Sequence, residues 1–169
     1  MKGTKRFSLL VVVVTLLAAL PMTVLANKQI FQATLTTGAE LHDVVDSNAR
    51  GSFTLGFNPD GSMRFLMNVR NLSGPPSGAH IHGPAAEDQN APVLLSLCGA
   101  PAPSAAGDCT FDADTSTLTV SANITPSLLQ QWGIGGGQFI SFLSDGLLYV
   151  NVHTALNPAG EVRGQIYPR

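Results

Sequence analysis

The chain has 169 residues, of which 44% are hydrophobic and only 12% charged, with a formal net charge of −2. Its first 26 residues hold three of the nine basic side chains and no acidic one, so residues 27–169 carry six basic against eleven acidic groups, a formal charge of −5. That balance argues against a nucleic-acid partner or an anionic membrane surface, and 143 residues suffice for one domain with a core but hardly for two.

At the N-terminus, Lys2, Lys5 and Arg6 precede an apolar run over residues 7–20, and Val24-Leu25-Ala26 places small residues at the spacing a signal peptidase reads. Residues 1–26 are therefore expected to be a secretory signal peptide and residues 27–169 a single β domain, periplasmic or secreted. The run is short for a span of about 20 residues, so no stable membrane anchor is expected after cleavage. Low charge with abundant Gly, Pro, Thr, Val and Leu suits an extracytoplasmic β-protein with tight turns.

Alternating apolar residues then predict strands at residues 30–36 and 51–57, with Phe53, Leu55 and Phe57 on one face. Asn58-Pro59-Asp60-Gly61 is a turn joining the second of these to a strand at 63–69, because Pro presets one dihedral, Asp bonds its own backbone and Gly tolerates positive φ. Residues 72–78, with two prolines and two glycines, read as a loop that delivers the chain to His80-Ile81-His82. A strand at 92–97 ends at Cys98. Cys98 and Cys109 are the only cysteines, and in an oxidising compartment they are expected to form a disulfide around a small loop that stabilises by roughly 2–3 kcal/mol.

Residues 118–122 alternate again. Thr125-Pro126 is a helix-start signal for a short helix over residues 127–132, and Gly135-Gly136-Gly137 reads as a flexible connection to a second short helix or turn at 139–143. Strands at 147–154 and 161–167, joined by the turn Asn157-Pro158-Ala159-Gly160, complete the series. The fold class expected is all-β: an antiparallel Greek-key sandwich or flattened barrel of about seven to eight strands with one or two short helices.

Two strands carry the chemistry. His80 and His82 leave the same face of their strand while Ile81 turns inward, and Tyr149, Asn151 and His153 share one face of a later strand. Arg163 and Glu161 fall on the matching face of the last strand. The three imidazoles meet only if the strands lie close in one sheet, and their face is expected to be the outer one. Neutral imidazoles suit Cu or Zn, so His80, His82 and His153 are candidate metal ligands, with His42 a candidate fourth and Asn151, Arg163 and Glu161 around them. The alternative is that the rings hydrogen-bond to sheet and loop backbone.

The run Ala79-His80-Ile81-His82-Gly83-Pro84, then residues 148–154, then Asn157-Pro158-Ala159-Gly160-Glu161-Val162-Arg163-Gly164-Gln165-Ile166 resembles, in order, the CHRD domain, a module named from chordin and common in bacterial exported proteins. The resemblance extends over about residues 31–167. It departs at residues 40–45, where the family usually shows an Asn-Glu-Val-Pro-Pro-like run and this chain has Glu40-Leu41-His42-Asp43-Val44-Val45. It implies a non-enzymatic binding or interaction module, its partner a protein or small ligand. A shorter, partial similarity to copper-zinc superoxide dismutase implies a copper-type geometry without implying its activity. No Gly-x-Ser-x-Gly or His-Glu-x-x-His is present, and no nucleophile-base pair stands out.

Overall fold

The computed structural model describes residues 29–101, 103 and 105–169; the signal-peptide reading lies outside the described residues. Ten strands form one antiparallel sheet that curls into a half-barrel: β1 (Ile30–Thr36), β2 (Arg50–Phe57), β3 (Met63–Arg70), β4 (Pro76–His82), β5 (Val93–Gly99), β6 (Thr110–Asp112), β7 (Thr117–Ile124), β8 (Tyr149–Thr154), β9 (Val162–Gln165) and β10 (Tyr167–Pro168). Their order is β5-β4-β8-β9-β1-β2-β3-β7-β6, with β10 pairing on β1. The all-β fold is as expected. The count exceeds seven to eight because β6, three residues long, leaves too short an alternation to read, and because the strand expected at 161–167 divides at Ile166 into β9 and β10.

Period-two patterning decides which face is inside. In β3, Met63, Phe65, Met67 and Val69 are buried and Arg64, Leu66, Asn68 and Arg70 exposed. Phe53 from β2 and Phe65 from β3 stack at 5.7 Å inside the curl, where Ile81, Leu95, Leu97, Val150 and Val152 join them. The β2–β3 hairpin turns as predicted, with Gly61 donating to the Asn58 carbonyl at 3.1 Å and the Asp60 carboxylate accepting from the Ser62 N–H at 2.9 Å.

Two expectations are corrected. The Pro-rich segment at 72–78 is not loop throughout, since β4 starts at Pro76, at a strand end where a missing N–H is tolerated, with a register shift before Gly78. Nor is the triple glycine a flexible connection. Gly135 is the N-cap of a helix, α2 (Gly136–Ser144), whose first turn contains Gly136 and Gly137. Two glycines weaken a helix by about 1 kcal/mol each, but α2 fully buries Phe139 and Leu143, worth about 1.5–3 kcal/mol each. Burial wins. With α1 (Pro126–Gln131), capped by the Thr125 hydroxyl accepting from the Leu128 N–H at 3.1 Å, α2 packs into the same apolar core.

Cys98 and Cys109 are joined, with Cα atoms 5.1 Å apart. The bridge ties the end of β5 to the start of β6 and holds the segment that includes Ala100 against β4.

Candidate metal centre

β4 pairs directly with β8, so the condition for the histidines to meet is fulfilled. The register sets Gly78 opposite His153, His80 opposite Asn151 and His82 opposite Tyr149. Side chains with the same alternation on adjacent strands share a face, which brings the His80 and His153 ring centroids to 4.8 Å, His80 and His82 to 5.7 Å, and His82 and His153 to 5.9 Å. One ring nitrogen from each lies within 4.8 Å of the others.

The expected open outer face is not what forms. His80 is 6% exposed and His82 8%, while Asn151 and Arg163 are also buried. Alternation assigns a side chain to a face without showing what covers it, and here loops over residues 37–49 and 83–92 lie across β8, β9 and the end of β4. Glu40 accepts from the Asn151 amide at 3.4 Å, and His82 and Gln165 bond the carbonyls of Ala91 and Ala85 at 2.9 Å each.

Each of the three histidines spends one ring nitrogen on a backbone carbonyl. His80 Nε2 donates to Ala100, His82 Nδ1 to Ala91 at 2.9 Å, and His153 Nδ1 to Pro158 at 3.1 Å. A carbonyl only accepts, so these bonds place the proton on the bonded nitrogen and leave the lone pair on the other. Those other atoms, His80 Nδ1, His82 Nε2 and His153 Nε2, are all buried and all without a partner. A buried acceptor left unpaired costs about 1–3 kcal/mol, and three in one cluster is an arrangement a bound cation explains. Metal-bound imidazoles are held in this way, by a carbonyl on the distal N–H. Ligand nitrogens on one ion with bonds of about 2.0–2.1 Å sit roughly 3.3–3.6 Å apart, so the rings would have to draw closer together to share one ion.

Burial also keeps the rings neutral. It pushes His82 and His153 down to about 4, His82 despite its bond to Ala91 and with each ring's positive form opposed by its neighbours, and it lowers His80 as well. The unfolded chain takes up protons near pH 6.5 and the folded site resists until about pH 4. The stability these rings contribute is therefore full above about pH 6.5 and is lost as pH falls through that window.

Packing fixes the ring positions. The Tyr149 ring stacks on His82 at 4.9 Å and 9°, and the Arg163 guanidinium lies over Tyr149 at 3.6 Å. Arg163 reaches the Asn90 side chain and the Gln89 carbonyl at 2.8 Å each, and its charge is close enough to help hold His82 down. At Gly78 an added Cβ would come within 2.6 Å of the Ala100 carbonyl and 2.7 Å of His80 Nε2, so only glycine leaves room for that bond. A groove of about 290 Å³, walled in part by Gly78, Ala100, Pro101 and Pro158, reaches His80 and His153 from solvent.

The remaining candidates lie elsewhere. His42 Nε2 bonds the Gly160 carbonyl at 3.0 Å and its Nδ1 is 3.8 Å from Glu40, so it stands outside the three-histidine group, near enough for its charge to lower His153. Glu161 is fully buried and faces the loops, accepting from Ser47, Ser73 and Thr154. Sequence reasoning missed Glu40, whose side chain is 1% exposed and whose carboxyl burial raises to about 7 against the pull of His42 and Arg163. Only its place in the block that departs from the family pattern marked it.

The CHRD domain family matches residues 31–166. The chain belongs to the CHRD domain family. In this CHRD domain the matched segment contains every strand from β1 to β9 except the first residue of β1, and all three clustered histidines. No curated protein and no solved structure matches the chain.

Proposed function

We propose that this CHRD domain is an exported, non-enzymatic metal-binding module that holds one late first-row ion, Cu(II) or Zn(II), on His80 Nδ1, His82 Nε2 and His153 Nε2. The observation that carries the reading is the set of three buried nitrogens without partners on three clustered rings, each ring's other nitrogen being fixed by a carbonyl. A neutral all-imidazole set disfavours Ca²⁺ and Mg²⁺, which take oxygen ligands, and the usual affinity order favours copper over zinc. Three protein ligands would leave a coordination position for water or an exchanging ligand, and the groove beside His80 and His153 would be the route from solvent. The disulfide fits action in an oxidising compartment, the periplasm or the medium.

Calorimetric titration of the chain, purified without chelators, with Cu(II) at pH 7.5 and 5.5 tests this reading. One ion per chain is expected, with affinity falling less than about tenfold between the two pH values and disappearing as pH approaches 4, because the folded rings stay neutral. Three ordinary imidazoles of pKa about 6.5 would each be about 90% protonated at pH 5.5 and lose roughly a thousandfold together. Absence of binding at pH 7.5 contradicts the proposal, and a thousandfold loss contradicts the buried-site account of it.

A further inference from the structure

Several strands away from the histidines, β1, β2, β3 and β7 present an outward face built unlike the rest of the chain. Although residues 27–169 are acidic overall, none of these four strands contains Asp or Glu, and β2 and β3 carry three of the six basic residues, Arg50, Arg64 and Arg70, all exposed. Arg50 and Arg70 are direct cross-strand partners in the β2–β3 register. Side chains so opposed have Cβ atoms about 4.5–5.5 Å apart, and like charges there repel. Arg64 is anchored, donating to the Ser121 hydroxyl at 3.2 Å. Among the described residues, Arg50 and Arg70 have no side-chain hydrogen bond and no ion pair.

The pair overhangs a groove of about 390 Å³ whose other walls include Thr34, Thr36, Ser52 and Asn68. Two guanidiniums with free N–H forks match the oxygens of a sulfate or carboxylate, and an anion between them converts their repulsion into attraction. The hydroxyls and the amide alongside suit sugar hydroxyls. No outward side chain on these strands is aromatic, so nothing is there to stack a nucleic-acid base.

We propose that the Arg50–Arg70 groove binds an acidic polysaccharide through its sulfate or uronate groups. This site is independent of the metal centre, and its failure would leave that reading untouched. The test is retention on immobilised dextran sulfate at low salt, with uncharged dextran and single-stranded DNA as parallel columns, for wild type, Arg50→Ser/Arg70→Ser and Arg64→Ser. Wild type and Arg64→Ser are expected to be retained on dextran sulfate and the double variant to lose roughly tenfold or more in affinity, with uncharged dextran holding none of them. The double variant should melt at the same temperature as wild type or higher, since a repulsive pair has been removed, so loss of retention does not reflect unfolding. Equal retention of wild type and double variant, or equally firm retention on DNA, would overturn the proposal.

Discussion

Replacing His80, His82 or His153 singly with Ala is expected to lower Cu(II) affinity by roughly a hundredfold, whereas His42→Ala should change it less than about threefold. Structural sites with four ligands bind with about 10–16 kcal/mol, so each ligand contributes on the order of 3 kcal/mol, which is two orders of magnitude in Kd. His42 is spent on Gly160 and Glu40 and can act on the ion only through its charge. Binding should also raise the melting temperature of wild type, since an ion taken up only by the folded state stabilises by about 2.7 kcal/mol at a hundredfold excess over Kd. Titration of the four variants beside wild type reads the first effect, and thermal melts of wild type with and without Cu(II) read the second. Equal loss in all four would assign the ion to a different site.

Glu161→Ala is expected to destabilise the fold by about 3–4 kcal/mol without a direct effect on the ion. Its carboxylate accepts from the Ser47 hydroxyl at 2.6 Å, the Ser73 N–H at 2.7 Å, and the Ser73 and Thr154 hydroxyls at 2.6 Å each, so one side chain pins two loops to the hairpin of β8 and β9. Hydrogen bonds to a charged group are worth about 1.5–3 kcal/mol, and removing their acceptor strands several donors at once. Burial alone would raise this carboxyl, but the bonds outweigh it and hold it below its usual range. The stability it contributes is therefore present above about pH 4.5 and lost as pH falls below that. Urea unfolding at pH 7 measures the effect, and a change under 1 kcal/mol would show that the loops are held by other means.

Much of the architecture was readable because the strands alternate cleanly. The faces of His80, His82, Asn151 and His153 follow from counting by twos, and the β2–β3 hairpin from Asn58-Pro59-Asp60-Gly61. What alternation does not carry is the third dimension of the site. The face read as outer is closed by two loops, and nothing in the sequence hints that Ala91 in one of them, Ala100 after β5 and Pro158 in the turn between β8 and β9 would supply the carbonyls that orient the three rings. The helix starting in the glycine run was hidden for a similar reason. Its stability comes from Phe139 and Leu143 reaching a core assembled by strands distant in sequence.

Copper K-edge absorption of the loaded protein at pH 7.5 tests the central claim most directly. Three nitrogen neighbours near 2.0 Å with the outer-shell scattering of imidazole rings are predicted, one ring fewer in His82→Ala. A spectrum dominated by oxygen ligands, or an imidazole count that the substitution leaves unchanged, would contradict it.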